Sequence, residues 1–249
     1  MGNITTVDDV ALKTCRICDN FALKTCRRSD NLLRDRMSQT VEAVEVNWWA
    51  LSRTNRFVSA ILAICLILLT SPLWLVIALA IKLSSKGPVF FLQERTGYMG
   101  RRFKMLKFRT MAVDADKLKA SLRHLNKHAV HSPDFKIDKD PRITSIGRLL
   151  RRYSLDELPN LINVVTGDMR LVGPRPTSFP ANTYEVKHLT RLAVPSGITG
   201  LWQISGRSDI DFDKRVELDE HYIKIQSPWT DLKILLKTFA KVVDGHGAS

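Results

Sequence analysis

The sequence predicts a mainly helical α+β protein with a re-entrant membrane helix hairpin, interfacial amphipathic helices and a small β element. Three observations support this fold class. Residues 57–81 form an uncharged apolar run that Ser71 and Pro72 interrupt. Residues 88–93 and 103–108 have the composition of short strands, and a glycine-bearing turn joins them. Residues 230–243 place apolar side chains on one helical face and lysines on another.

The composition is that of an ordinary folded chain with an excess of basic residues. The 249 residues include 38 Lys and Arg against 25 Asp and Glu, which gives a formal net charge of +13. A 45% hydrophobic and 25% charged composition argues against a disordered, collagen-like or polytopic membrane protein. The four cysteines are scattered and form no disulfide framework, so we expect a reducing compartment.

The apolar run at 57–81 predicts a membrane segment. A stretch of about 20 apolar residues is enough to span a bilayer, but Pro72 removes a backbone donor and predicts a kink or break that leaves two short arms. Basic residues flank both ends, and such flanks prefer the cytoplasm. A hairpin that re-enters one leaflet satisfies both flanks, and a proline-kinked spanning helix is the alternative left open. A secretory signal is not expected, because the first 55 residues are polar.

The segment that follows the apolar run is strongly basic. Between Lys82 and Arg109 there are eight Lys and Arg residues and one acid, Glu94. Such a patch attracts phosphates, either those of anionic lipid headgroups or those of nucleic acid. The adjacent apolar run favours membrane lipids as the partner and argues against nucleic acid.

Residues 1–52 read as an N-terminal extension, partly disordered or amphipathic, and 53–249 as the main domain. The extension carries a tandem repeat at 11–32, ALKTCRICDNF followed by ALKTCRRSDNL. Two copies are too few for a solenoid. Cys15 and Cys18 form a CxxC, but no second pair completes a zinc site, so metal binding is not expected there.

The periodicity of the main domain predicts several further helices. The last of them is basic and amphipathic, and two placements stay open: it lies on a membrane surface, or it packs on the core with its lysines in water. The predicted helices are 114–130, 144–166 with a break near 153–159 and an end at Gly167, 212–225 and 230–243.

Asp156 and Glu157 are the strongest candidates for chemistry. Ser154 and Glu157 match a capping box, and Asp156 is an alternative N-cap that makes Pro159 tolerable. Either way, the pair lies at a helix N-terminus beside Arg151 and a second arginine, which is a favourable site for an anion. Two carboxylates there can hold Mg²⁺ together with substrate phosphates, and an aspartate can attack phosphorus. The spacing alone leaves capping and chemistry equally open.

Other candidate residues are weaker singly. Lys107 and Arg109 end a predicted strand on one face, where they would hold phosphates or sit in solvent. Arg175 lies between two prolines that fix its backbone, and Asp168 is a loop residue or a further acid at the site. The histidines at 124 and 128 lack the glutamate of a zincin motif and are read as surface residues. The sequence contains no Walker A loop and no GxGxxG, which argues against P-loop and Rossmann enzymes.

Five motifs occur in order along the chain, and together they are specific. They are the Ser71-Pro72 break, KFRTM (107–111), SLDELPNLINVVTGDM (154–169), GPRP (173–176) and PSGITGLWQISGR (195–207). This set closely resembles the bacterial sugar transferase family, the monotopic phosphoglycosyl transferases that start exopolysaccharide and related glycan synthesis. The resemblance covers about residues 53–249, and residues 1–52 lie outside it.

The resemblance implies an activity and a set of site residues. The enzyme would transfer a sugar phosphate from a UDP-sugar to undecaprenyl phosphate and release UMP, on the cytoplasmic face of the bacterial inner membrane. Asp156 would be the nucleophile that forms a covalent phospho-sugar, and Glu157 a catalytic residue and the Mg²⁺ ligand. The Ser71-Pro72 break would form the re-entrant hairpin. Phosphate or nucleotide contacts would come from Lys107, Arg109, Arg151 and Arg175.

Two other functions compete with the transferase. A phosphatase-like hydrolase would use the same aspartyl phosphate, with water in place of the lipid. A membrane-surface module without catalysis would use the acidic pair as a cap and the basic patch as a dock. The sequence does not distinguish donor sugars, with glucose and galactose preferred, and it leaves a homo-oligomer open.

Overall fold

The computed structural model describes residues 44–112, 115, 137, 140–206 and 210–244. Several sequence predictions lie outside the described residues. These are the repeat at 11–32 with its CxxC, the two histidines at 124 and 128, and, apart from residue 115, the helix predicted at 114–130.

The described chain is mainly helical and contains two small sheets, as the fold class predicts. Short 3-10 turns at 98–100, 155–157, 181–183 and 186–192 connect the longer elements. In chain order the elements are α1 (Trp48–Leu51), α2 (Arg53–Ser84), β1 (Phe90–Thr96), β2 (Arg102–Phe108), α3 (Ser145–Arg152), α4 (Asn160–Thr166), β3 (Arg170–Val172), β4 (Gly197–Thr199), α5 (Leu201–Ser205), α6 (Phe212–Ile225) and α7 (Pro228–Asp244).

Helix α2 is a single helix that continues through Pro72, so the predicted hairpin break is not shown. A proline at this position leaves the carbonyl of Leu68 without its usual N–H donor. The hydroxyl of Ser71 donates to that carbonyl over 2.8 Å. The side chain before the proline thus replaces the missing backbone bond, a device known from membrane helices.

Most of α2 exposes its apolar side chains. It is long and apolar enough to cross a membrane, by length and composition, and only about a tenth of its most apolar stretch is buried. Its buried residues lie towards the two ends, for example Ala63 and Ile81, whereas Leu69 and Leu75 in the middle are 77% and 74% exposed. The core helix of a soluble protein would be mostly buried, so the exposed apolar surface of α2 suggests membrane association.

Strands β1 and β2 form the predicted antiparallel hairpin, paired from Phe90 with Phe108 to Thr96 with Arg102. The turn has Met99 at a φ of 51° and Gly100 at 70°, in the left-handed region. Strand β1 begins and ends later than the predicted 88–93, because polar residues up to Thr96 continue the pairing with β2. The hairpin places Lys107 beside the turn at 155–157.

Two short parallel strands, β3 and β4, bring distant parts of the chain very close together. Gly197 pairs with Arg170, and a Cβ atom built on Gly197 would lie 2.1 Å from the backbone nitrogen of Gly173. Only glycine permits this approach, and it fixes the start of the GPRP turn.

We expect Gly197→Ala to lower the free energy of unfolding by about 1–3 kcal/mol, because the added methyl must push the strands apart. The shift would also displace the turn that carries Arg175. Chemical denaturation of the detergent-solubilised protein measures the loss. An unchanged unfolding midpoint would contradict this close approach.

The helices on either side of the acidic pair follow the predicted pattern. The 144–166 region is helical as α3 and α4, with the interruption falling between them. Gly167, with a φ of 88°, ends α4 as predicted. The break places residues 153–159 in a tight connection instead of a continuous helix.

The predicted bounds of the two C-terminal helices agree closely with the structure. Helix α6 spans the predicted 212–225, and α7 contains the predicted 230–243. Ile234 of α7 packs on the core, while Leu236 and Phe239 are exposed. Helix α7 therefore packs on the core through one side and exposes an apolar stripe on another, and its contact with a membrane surface stays a prediction.

Candidate active site

Asp156 and Glu157 lie on a 3-10 turn between α3 and α4. Ser154 precedes them in the left-handed conformation, with a φ of 53°, and its side chain makes no capping hydrogen bond. Pro159 stands at the start of α4 and also provides no side-chain cap. The structure thus supports neither capping interpretation. A non-glycine residue in this conformation is strained, and such strain is common at functional sites.

The Glu157 carboxylate is held by two cations from distant parts of the chain. Arg175 donates through Nη1 to Oε2 over 2.9 Å and through Nη2 to Oε1, a two-point contact. Lys107 donates through Nζ to Oε1 over 3.0 Å. A two-point arginine contact fixes the plane of a carboxylate. Glu157 therefore ties β2 and the GPRP turn to the 155–157 turn.

Buried charges set the protonation of this cluster. Burial raises the pKa of Glu157, but Arg175 and Lys107 outweigh it, so that pKa lies below its ordinary value. Burial also lowers the pKa of Lys107, with Glu157 acting in the opposite direction. The pKa of Arg175 is raised because Glu157 outweighs its burial. At neutral pH Glu157 is ionised and its lone pairs are engaged.

Asp156 differs from its neighbour because no described side chain donates a hydrogen bond to its carboxylate. It is 8% exposed, and burial, followed by the negative charge of Glu157, raises its pKa. Lys107, Arg151 and Arg175 oppose that rise by their charge. An acid that is buried, unbonded and faced by cations is suited to attack an electron-poor centre.

Arg151 reaches this site from the end of α3. Its Nε donates to the Thr110 hydroxyl over 3.0 Å. This bond holds the guanidinium next to the residues that follow β2. Burial lowers its pKa, and Asp156 is the largest opposing influence. The structure therefore brings Lys107, Arg151 and Arg175 around the acidic pair, as the sequence predicts.

Two predicted site residues are placed elsewhere. Arg109 donates to the carbonyls of Lys86 at 2.7 Å and Ser85 at 2.8 Å, so it secures the chain at the end of α2. Asp168 lies beyond the other end of α4, where it accepts from Arg101 at 3.1 Å and Thr166 at 2.9 Å. The structure does not bring either side chain to Asp156, and their phosphate contacts stay predictions.

The structure does not show the magnesium site that the sequence predicts. Among the described residues, no three His, Cys, Asp or Glu side chains cluster as metal ligands. Both oxygens of Glu157 already bind cations, and these would repel a divalent ion. A magnesium ion held by Glu157 stays a prediction, and no step below passes through it.

Four residues near this site were not among those predicted from the sequence. Arg95, Arg191, Arg215 and Trp202 line a cavity together with Arg175. Trp202 belongs to the PSGITGLWQISGR motif, which was a usable signal. The arginines come from β1, the 186–192 turn and α6, and nothing local in the sequence groups them.

Comparison with known proteins identifies the family. A family model described as bacterial sugar transferase matches residues 50–245. The exopolysaccharide production protein ExoY of Rhizobium meliloti (strain 1021) is 40% identical over 185 residues, which cover 73% of this chain and 82% of that protein.

Other relatives are longer than this chain. The galactosyl transferase CpsE of Streptococcus agalactiae serotype III (strain NEM316) is 48% identical over 164 residues, which cover 65% of this chain and 36% of that protein. The UDP-glucose:undecaprenyl-phosphate glucose-1-phosphate transferase of Escherichia coli (strain K12) is 42% identical over 205 residues, 77% of this chain and 41% of that protein. The chain thus spans well under half of these two relatives. Its match to the family model and to ExoY shows that it belongs to the bacterial sugar transferase family.

Proposed function

We propose that this chain transfers a sugar 1-phosphate from a UDP-sugar to undecaprenyl phosphate and releases UMP, as the first membrane step of exopolysaccharide or related glycan synthesis. One observation carries the proposal: Asp156 is a buried carboxylate to which none of the described residues donates a hydrogen bond, and the positive charges of Lys107, Arg151 and Arg175 act on it. This arrangement suits attack on a diphosphate whose charge the three cations offset. The substrates follow the printed names of the relatives.

The first step forms a bond between the protein and the donor. A carboxylate oxygen of Asp156 attacks the phosphorus that bears the sugar, and the bond from that phosphorus to the bridging oxygen breaks. The electron pair leaves with that oxygen on UMP. Arg175 and Lys107 hold Glu157 in place and face the developing negative charge. Asp156 then carries the sugar phosphate as an acyl phosphate.

The second step transfers the sugar phosphate to the lipid. A phosphate oxygen of undecaprenyl phosphate attacks the same phosphorus, the bond to Asp156 breaks, and the carboxylate returns to its ionised state. The acceptor head group lies at the membrane surface, so the site must lie there as well. Exposed apolar α2 supports that placement, because Ile77 and Ile81 near its end pack on Phe108, one residue after Lys107.

The donor is proposed to be UDP-glucose or UDP-galactose, since the printed names of relatives include both sugars. The test is UMP release from each donor by detergent-solubilised protein, with and without undecaprenyl phosphate, and with EDTA to test the magnesium prediction. Lipid-dependent UMP release with a lipid-linked sugar product supports the transferase. UMP released steadily without a lipid product would instead identify the hydrolase.

We further propose that α2 enters only the cytoplasmic leaflet of the inner membrane and that both of its ends stay on the cytoplasmic side. Both ends of the helix contact the same folded body: Arg56 lies against Gly167, and Ile81 packs with Phe108 and Leu150. The exposed apolar middle contains Leu69. A helix that spans the membrane would separate its ends by the bilayer, about 30 Å of hydrocarbon.

Cysteine labelling tests this topology. In a background without the four native cysteines, Thr54→Cys and Ser84→Cys place thiols at exposed positions on the two ends of α2. We expect an impermeant maleimide to label neither position in intact spheroplasts and both after permeabilisation. Labelling of just one position in intact cells would show a spanning helix and contradict the placement of both ends on the cytoplasmic side.

The pH dependence of turnover reports on Asp156, which must be ionised to attack. Burial raises the pKa of Asp156 above the ordinary aspartate value of about 4. We therefore expect kcat/KM for the donor to fall as the pH is lowered, and the fall should begin at a higher pH than it would for an ordinary aspartate. Lys107→Met should move this limb to higher pH, since the lysine charge lowers the pKa of Asp156. A limb that stays in the ordinary range, or moves down in the variant, would contradict the assignment.

A further inference from the structure

The GPRP turn carries Arg175, and donors from later parts of the chain hold its backbone. Two of its four residues are prolines, which have no backbone N–H to donate. The carbonyl of Pro174 accepts from the N–H of Gly197 at 3.0 Å. The carbonyl of Arg175 accepts from Arg191 Nη2 at 2.8 Å. A side chain 16 residues further along the chain therefore fixes the backbone of Arg175.

Arg191 is itself held by a buried acid, Asp219, in the middle of α6. Its Nη2 lies 2.8 Å from Asp219 Oδ2, and the two side chains are 3% and 1% exposed. The ring of Phe212, at the start of the same helix, lies 5.3 Å from the guanidinium carbon. Burial raises the pKa of Asp219 to about 6 against the opposing charge of Arg191, so the acid is ionised at neutral pH. One nitrogen of Arg191 thus joins Asp219 to the backbone of Arg175.

Stability alone is a poor explanation for this buried pair. Taking two charges out of water costs free energy, and apolar residues of similar volume often stabilise a protein as well or better. The contacts also continue beyond the pair. Arg175 donates to both oxygens of Glu157, and its charge acts on Asp156. A single path of contacts therefore runs from Asp219 through the two arginines to the acidic pair.

We propose that Asp219 and Arg191 are positioning residues for Arg175. They hold the backbone of that arginine so that its guanidinium stays aligned on Glu157 and faces the reacting phosphates at Asp156. The inference rests on the proposed function, in which this guanidinium offsets the charge of the donor. A displacement of about 1 Å in such a group can lower the rate of a reaction about a hundredfold.

Lipid-dependent UMP release by the full-length, detergent-solubilised protein tests the inference. We expect Asp219→Asn and Arg191→Met each to lower kcat at least about tenfold, because Arg175 loses its alignment. The matched control is Asp213→Asn on the same helix, which removes the same charge from an exposed carboxylate that contacts Lys187 and His188. The control should turn over like the wild type. Thermal unfolding of each variant shows that the fold is retained at the assay temperature.

A double-mutant cycle distinguishes positioning from a purely structural role. In an Arg175→Met background, Asp219→Asn should lower kcat less than about twofold, because the guanidinium that it positions is absent. A structural role would produce the same loss in both backgrounds and overturn the inference. Combining Asp219→Asn with Arg191→Met leaves neither buried charge unpaired, so this double variant should fold and show the loss of at least about tenfold. Wild-type kcat in the double variant would also overturn the inference.

Unfolding midpoints separate this inference from the proposed function. Because Arg175 links the two acids, the midpoint change caused by Asp219→Asn should differ between the wild type and a Glu157→Gln background. Such coupling in a protein that transfers no sugar phosphate from any UDP-sugar would overturn the proposed function alone. Turnover with equal kcat losses in both Arg175 backgrounds would overturn the positioning inference alone. Equal midpoint changes in a protein without turnover would overturn both.

Discussion

Asp156→Asn is expected to lower the turnover of a UDP-sugar by at least about a thousandfold, because an amide cannot form the acyl phosphate. The substitution keeps the size of the side chain and removes only its charge. The measurement is the rate of lipid-dependent UMP release from the better of the two proposed donors. Activity within about tenfold of the wild type would exclude Asp156 as the nucleophile.

The stability of the same variant separates a lost nucleophile from a damaged fold. Burial raises the pKa of Asp156, so the ionised side chain destabilises the folded state at neutral pH, and this penalty disappears when the acid is protonated. We therefore expect Asp156→Asn to unfold at the same or a higher temperature. Asp244→Asn, at the exposed end of α7, is the matched control and should change neither activity nor stability.

Arg175→Ala should produce the second large effect, this time on both stability and activity. Removing one partner of a buried ion pair leaves the other charge unpaired, at a cost of about 3–5 kcal/mol. Glu157 would keep only Lys107, and the wall of the cavity would be lost. We expect a lower unfolding midpoint, and UMP release reduced by at least about a hundredfold because a cation facing the reacting phosphates is lost.

A double-mutant comparison shows whether the Glu157 contact causes the loss of stability. Glu157→Gln combined with Arg175→Met removes the charges of both partners and should recover part of the stability lost in Arg175→Ala. Arg175→Lys keeps the charge but not the two parallel bonds, so its effect should be intermediate. A double variant that is no more stable than Arg175→Ala would contradict the ion-pair explanation.

The elements that were predictable from sequence are those with local signals. Helix α6 follows its predicted bounds, and α4 ends at Gly167, because helical periodicity and a left-handed terminal glycine are properties of short segments. The β1–β2 hairpin was also recognisable from two apolar strand patterns and a glycine-bearing turn. The structure also brings the acidic pair together with Lys107, Arg151 and Arg175, which were selected partly from the residues and partly from the family resemblance, and their roles stay predictions.

The remaining features depend on contacts between distant residues. The sequence does not reveal that Ser71 replaces the bond that Pro72 removes, so a break was expected where α2 continues. Lys107 and Arg175 are 50 and 18 residues away from Glu157 along the chain. No local sequence pattern therefore predicts that they bind both oxygens of its carboxylate. Arg109 is oriented by carbonyls at the end of α2 and not by its place after the strand.

Trapping the covalent intermediate tests the central claim most directly. The protein is mixed with UDP-glucose or UDP-galactose in the absence of undecaprenyl phosphate, digested, and analysed by mass spectrometry, while UMP is measured in the same sample. The account predicts a sugar phosphate on the peptide that contains Asp156, together with about one UMP per active site, and neither in Asp156→Asn. The covalent mechanism would be contradicted if the protein yields no adduct and no UMP before the lipid is added, and still forms lipid-linked product afterwards.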